Sequence, residues 1–134
     1  MKEFNIDLVK YRLREAKEKL KVAELNFKNG FYKDSLSRSY YAIYNATKAL
    51  LATKRLNSKK HSGIISLFNK EFVKTSIIDK KFSQILMDAK EYRERSDYQE
   101  FFIVSKEEAL QQLENAEIFV KEIESLINKI IENT

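Results

Sequence analysis

Cysteine, proline and tryptophan are missing from these 134 residues, glycine occurs twice and histidine once. Without cysteine there are no disulfides, no thiolate chemistry and no zinc-finger spacing, which fits a reducing, cytoplasmic setting. Without proline, and with glycine only at Gly30 and Gly63, the chain has few backbone breakers, so long helices joined by short polar turns are expected. A single histidine leaves no second imidazole for a metal pair. No phosphate-cradling glycine loop or nucleophile elbow is present. No apolar run approaches the roughly 18 residues that a membrane span needs, nor does the N-terminus carry a signal-peptide core, so neither export nor a membrane is indicated.

The length suits one domain over residues 1–134, and apolar periodicity divides it into helices. Val9, Leu13, Ala16, Leu20, Ala23 and Phe27 alternate in steps of four and three, which predicts a first helix over about Asn5–Lys28, capped by Asn5 or Asp7 and stopped at Asn29-Gly30. A short turn then gives an antiparallel second helix, from Tyr32–Asp34 to about Arg55. A third is predicted over Gly63–Val73, capped by Ser58 or Ser62, and a fourth over Ile78–Asp97 with Ile78, Phe82, Ile85, Ala89 and Tyr92 inward. Residues 98–104 read as a loop with Phe101, Phe102 and Ile103 packed on the bundle. Ser105 and Glu108 form a capping box for a last helix reaching Glu132. Its seam of Ala109, Leu113, Ala116, Val120, Ile123, Ile127 and Ile130 matches that of the first helix, so the two are expected side by side. The expected fold is all-α, an antiparallel up-and-down bundle of four to five helices.

The second helix carries the most chemistry. Leu36, Tyr40, Ile43, Thr47 and Leu50 share one face, Arg38, Tyr41, Asn45 and Lys48 another, and Tyr44 lies between them. One face is expected in the core and the other against a ligand, a partner or a second copy.

Charge is unevenly divided. Residues 1–81 hold 19 Lys/Arg against 8 Asp/Glu, and residues 82–134 hold 6 against 12. A basic half can favour phosphate-rich partners; equally, oppositely charged halves can complement each other within the fold or across a dimer. Asp88, Glu91, Glu94 and Asp97 recur in steps of three but are mixed with Lys90, Arg93 and Arg95, which reads as a solvated face rather than a metal site. His61 sits in the basic segment 57–63, either as a general base needing an orienting carboxylate or as a helix-start residue. Tyr92-Arg93-Glu94-Arg95-Ser96-Asp97-Tyr98 combines two arginines, an acid and two tyrosines. It can hold a phosphate or stack a base, or simply fix a turn through an Arg–Asp pair.

The segments SRSYYAIYNATKALL, KKHSGIISLFNKEFVK, RERSDYQ and SKEEALQQLENAEIFVKEIE, in that order, resemble the HEPN domain family, and specifically its small stand-alone branch. The resemblance runs from about Leu8 to Ile127. It implies a helical bundle that is usually a homodimer, often paired with a minimal nucleotidyltransferase in a toxin–antitoxin system, or serving as a nucleotide-binding module. It requires no cofactor. Many members are metal-independent endoribonucleases whose motif is an arginine followed, after four to six residues, by a histidine. Arg93 or Arg95 matches the arginine, but positions 98–102 read Tyr, Gln, Glu, Phe and Phe, so the histidine is absent. Tyr98 stands at the histidine's distance from Arg93, and the resemblance makes it a candidate acceptor for adenylylation by the partner enzyme.

Three functions follow as expectations. The first is a non-catalytic or weakly catalytic nucleotide- or RNA-binding partner of a nucleotidyltransferase, using Arg38, Tyr41, Tyr44, Asn45, Lys48, Arg95, Asp97 and Tyr98. The second is an endoribonuclease using Arg93 or Arg95 with His61. The third is a plain dimeric interaction module.

Overall fold

The computed structural model describes residues 3–134. Five α-helices follow one another: α1 (Ile6–Lys28), α2 (Tyr32–Ala52), α3 (His61–Phe68), α4 (Lys80–Tyr98) and α5 (Lys106–Glu132). A π-helical turn, Asn69–Val73, extends α3. Among the described residues there is no strand. The fold is the expected all-α bundle.

The helix ends have local causes. Asn5 Oδ1 accepts from Leu8 N at 3.0 Å and starts α1, and Gly30 stops it with φ +81, a left-handed value that costs glycine little. Asp79 caps α4 through Lys81 N at 2.8 Å. Ser105 and Glu108 close a reciprocal capping box on α5.

Helix α2 is the centre of the bundle. Its face of Leu36, Tyr40, Ile43, Thr47 and Leu50 is buried as expected, but so are Ser35, Ser39, Ala42, Ala46 and Ala49 on the adjoining face. Small residues there let α1 approach closely, and the Ser35 hydroxyl donates to Ala23 O at 2.8 Å across the seam. Helices α1 and α5 do touch, with Lys17 Nζ 2.7 Å from Glu124 Oε2, yet both pack chiefly on α2. That ion pair is the only one, among the described residues, joining the basic half of the chain to the acidic half. Direct pairing therefore leaves most of the basic surplus uncompensated.

Four expectations need correction. Helix α2 ends at Ala52 rather than Arg55, because Arg55 turns left-handed (φ 60) and Leu56 N bonds back to Leu51 O. Helix α3 begins at His61 behind Lys60, so neither Ser58 nor Ser62 caps it. Ser58 instead accepts from Lys60 N and lies against Gly63, where an added β-carbon would fall 2.0 Å from its hydroxyl. On α4, Leu86 is fully buried while Ile85 is only partly so. Finally, Phe101 and Ile103 do not pack on the bundle: they are 94% and 84% exposed, and of that trio only Phe102 turns inward, beside Leu36, Val104 and Ala109.

Candidate functional site

The packing of α3 and α4 on α2 brings His61 and Arg93 to the same tyrosines. Three tyrosines within one turn and a half of α2 project toward this corner because positions 40, 41 and 44 straddle the boundary between its buried and open faces. The Tyr40 hydroxyl lies 2.5 Å from His61 Nδ1. The imidazole stacks on the Tyr44 ring at 4.2 Å between centroids and meets the Tyr41 ring edge-on at 6.5 Å. From α4, Arg93 Nη2 donates to the Tyr41 hydroxyl at 2.8 Å, and its guanidinium carbon lies 5.3 Å from the Tyr41 ring and 5.8 Å from the Tyr40 ring. Asp97 Oδ2 approaches Arg93 Nε at 2.9 Å one turn on, an ion contact in which the N–H points off-axis. A guanidinium has five N–H donors, so those not turned to Tyr41 or Asp97 remain for a ligand.

Electrostatics follow from this crowding. Burial, with Arg93, Lys90 and Lys48 adding to it and Glu94 opposing, pushes the His61 pKa below its ordinary 6.5, so the ring is neutral at pH 7. Burial likewise raises the Tyr40 phenol, Tyr44 reinforcing and Arg93 opposing, so Tyr40 stays protonated. Tyr44 is raised by burial too, and Lys48 is lowered by burial and by Arg12. A protonated phenol therefore orients the imidazole where a carboxylate would be the usual partner. The phenol leaves the ring less basic than a carboxylate would.

The expected site residues separate into two groups. Tyr41, Tyr44, Lys48, His61, Arg93 and Asp97 share the cluster, with Lys48 Nζ 5.6 Å from the Tyr44 ring. Asn45 adjoins it but spends its amide on Tyr41 O at 2.9 Å, within its own helix. Arg38 is exposed and forms no ion pair among the described residues. Arg95 turns the other way, 5.3 Å from the Phe102 ring and 5.9 Å from Tyr92, and its charge helps lower the Glu108 pKa after the stronger effect of the Ser105 bonds. Within this chain the imidazole therefore pairs with Arg93 and not with Arg95. Tyr98 ends α4 with 78% of its surface exposed and joins none of these contacts. Among the described residues no three His, Asp or Glu side chains stand where they could share a metal ion, and Asp88, Glu94 and Asp97 are held by Gln84, Lys90 and Arg93.

Tyr40 and Arg12 were missed in the sequence. Periodicity places Tyr40 in the core, and its ring is indeed buried, yet its hydroxyl meets His61 and its ring lies 5.7 Å from the imidazole and 5.8 Å from the Arg93 guanidinium carbon. Arg12, from α1, donates to Lys48 O at 3.3 Å, a contact across 36 positions that no local pattern signals.

Residues 9–126 match the model of the HEPN domain. The chain is 37% identical over 120 residues to a Methanocaldococcus jannaschii protein named "Putative toxin", a match covering 89% of this chain and 82% of the relative. A second protein of that organism and name is 37% identical over 116 residues, 87% of this chain and 86% of the relative. A Thermotoga maritima protein named "UPF0332 protein" is 35% identical over 123 residues, covering 92% and 93%. No helix among the described residues is long and apolar enough to cross a membrane. With the family model spanning nearly the whole bundle and relatives matched over most of their length, this chain belongs to the HEPN domain family.

Proposed function

We propose that this chain binds a nucleotide or an RNA strand at the corner where α2, α3 and α4 meet, and does so as the partner of a nucleotidyltransferase in a toxin–antitoxin-like pair. The observation that carries the reading is the convergence of Arg93 and His61 on one set of tyrosines. Arginine over aromatic faces, with N–H groups to spare and Lys48 alongside, is a combination that takes a phosphate and a base together. The toxin names of two relatives fit such a pairing. A homodimer belongs to this reading, with the exposed Phe101 and Ile103, in the turn after α4, as its apolar contact.

The Tyr40–His61 contact favours a second reading, metal-independent RNA cleavage with Arg93 and His61. Arg93 would neutralise the phosphate while the imidazole nitrogen away from Tyr40 takes the proton of the attacking 2′-hydroxyl. For that, Nδ1 must carry the proton and donate to the Tyr40 oxygen. The cluster holds a single imidazole, so base and acid roles fall on one residue. This supports binding or slow turnover over efficient cleavage.

Single-stranded RNA binding measured against salt, together with product analysis on the same samples, tests both readings. Salt-dependent binding without products supports the first. Cleavage abolished by His61→Gln and by Arg93→Gln, each still folded, supports the second. Absence of both RNA and nucleotide binding overturns both.

A further inference from the structure

A second cationic cluster lies at the far end of α2 from the tyrosines. Where the start of α1 meets the segment after α2, a cleft of about 260 Å³ opens over an apolar floor that includes Leu8 and Leu56. Its polar lining is Arg12, Arg55, Asn5 and Asn57, with no carboxylate. Neither guanidinium has a carboxylate within ion-pair distance among the described residues, although Arg12 is half-buried. The Asn5 oxygen is used in capping α1, which leaves its amide N–H groups as donors. The cleft thus offers donors and positive charge and little else.

Two further features set it apart from an ordinary basic surface. Arg55 holds a left-handed backbone (φ 60), a conformation that a residue with a β-carbon seldom adopts. Arg12 also links the cleft to the tyrosine corner: it donates to Lys48 O, and its charge reaches Lys48 and Tyr44. Lys48 in turn lies over the Tyr44 ring on which His61 stacks. Lys48 therefore stands between the aromatic cluster that holds Arg93 and the cleft that Arg12 shares with Arg55.

We infer that the Arg12–Arg55 cleft is a phosphate-ester subsite, holding one phosphate of the ligand whose base or neighbouring phosphate sits at the Arg93–Tyr41–His61 corner. This rests on the nucleotide- or RNA-binding reading above and gives that ligand a second anchoring point. A planar fork of donors suits a phosphate better than an ammonium does, and the size of the cleft admits one such group.

The test uses Arg55→Asn, whose asparagine tolerates the left-handed backbone, and Arg12→Gln, which keeps a donor toward Lys48 O. A fluorescently labelled single-stranded RNA and adenosine 5′-monophosphate serve as probes, with thermal melts to confirm folding. The expected result is a severalfold loss of RNA affinity in Arg55→Asn, a larger loss in the double variant, and a salt slope shallower by about 0.7 for each phosphate contact removed. Unchanged mononucleotide binding in the variants then assigns the cleft to a flanking phosphodiester of the strand. A matching loss assigns it to the mononucleotide's own phosphate. Wild-type affinity and salt slope in Arg55→Asn, for both probes, overturn the subsite while leaving the corner reading intact. If the unaltered protein binds neither probe, the corner reading and the subsite fall together. Should Arg12→Gln fold poorly, Arg55→Asn alone decides, since that side chain is exposed.

Discussion

The Tyr40 hydroxyl and His61 Nδ1 lie 2.5 Å apart, joining the buried face of α2 to the first residue of α3. A tyrosine whose ring is core and whose hydroxyl meets His61 ties the position of the imidazole to the packing of the bundle. Tyr40→Phe keeps the ring and removes only this bond. We expect it to cost about 1 kcal/mol of stability. We also expect the His61 ring signals to broaden or shift in NMR spectra as the imidazole loses its tether. A Tyr40→Phe protein with unaltered stability and unaltered His61 resonances would contradict the role given to this bond.

The His61 pKa is held below 6.5 by burial first and by Arg93 next. Arg93→Gln removes the second cause and leaves the first. An NMR titration should therefore find the His61 midpoint below 6.5 in the unaltered protein and moved upward, toward that value, in the variant. A midpoint at or above 6.5 in the unaltered protein would show that the ring is solvated or faces an anion.

The same shift gives stability a sign with pH. The unfolded chain, with its histidine near 6.5, binds a proton more readily than the folded one does. Stability is therefore complete above about pH 6.5 and declines as pH falls through the lower folded-state value. His61→Gln removes this titration and leaves the carboxylates in place. Denaturant unfolding at pH 7.5 and pH 5.5 should show the unaltered protein losing more stability than His61→Gln over that interval. An equal loss in the two proteins would place His61 outside the linkage.

Packing makes a sharper contrast on α4 and the turn that follows it. Leu86 is fully buried, and Leu86→Ala is expected to cost about 2–5 kcal/mol. Phe101→Ser and Ile103→Ser, at nearly bare positions, should each change the stability of the monomer by less than about 0.5 kcal/mol while reducing association between copies. Size-exclusion chromatography with light scattering reads the association, and denaturant unfolding at low protein concentration reads the stability.

These contrasts also mark what could be read from the chain alone. The seams of α1 and α5 and the capping box at Ser105 were legible because they are local patterns whose period is the helix's own. Tyr41 and Lys48 could be placed on a separate face of α2, and Tyr44 at its edge, for the same reason. What periodicity hides is distance across the bundle. Nothing local distinguishes Arg93 from Arg95, two residues apart on α4 and differing by about 200° around the axis; the helix turn sends one to Tyr41 and the other to Phe102. Phe101 and Ile103 misled because apolar character was read as burial, whereas the left-handed backbone at Phe101 (φ 59) carries the turn out into solvent.

Single-stranded RNA binding by Arg93→Gln and Arg95→Gln, compared side by side at two salt concentrations, decides whether the ligand sits at the Arg93–Tyr41–His61 corner. The expected result is a loss of about tenfold or more for Arg93→Gln, whose guanidinium sits on the tyrosines with His61, and less than about threefold for Arg95→Gln, which faces Phe102. Equal losses in the two variants, or a larger one in Arg95→Gln, would contradict it and move the site to the far side of α4.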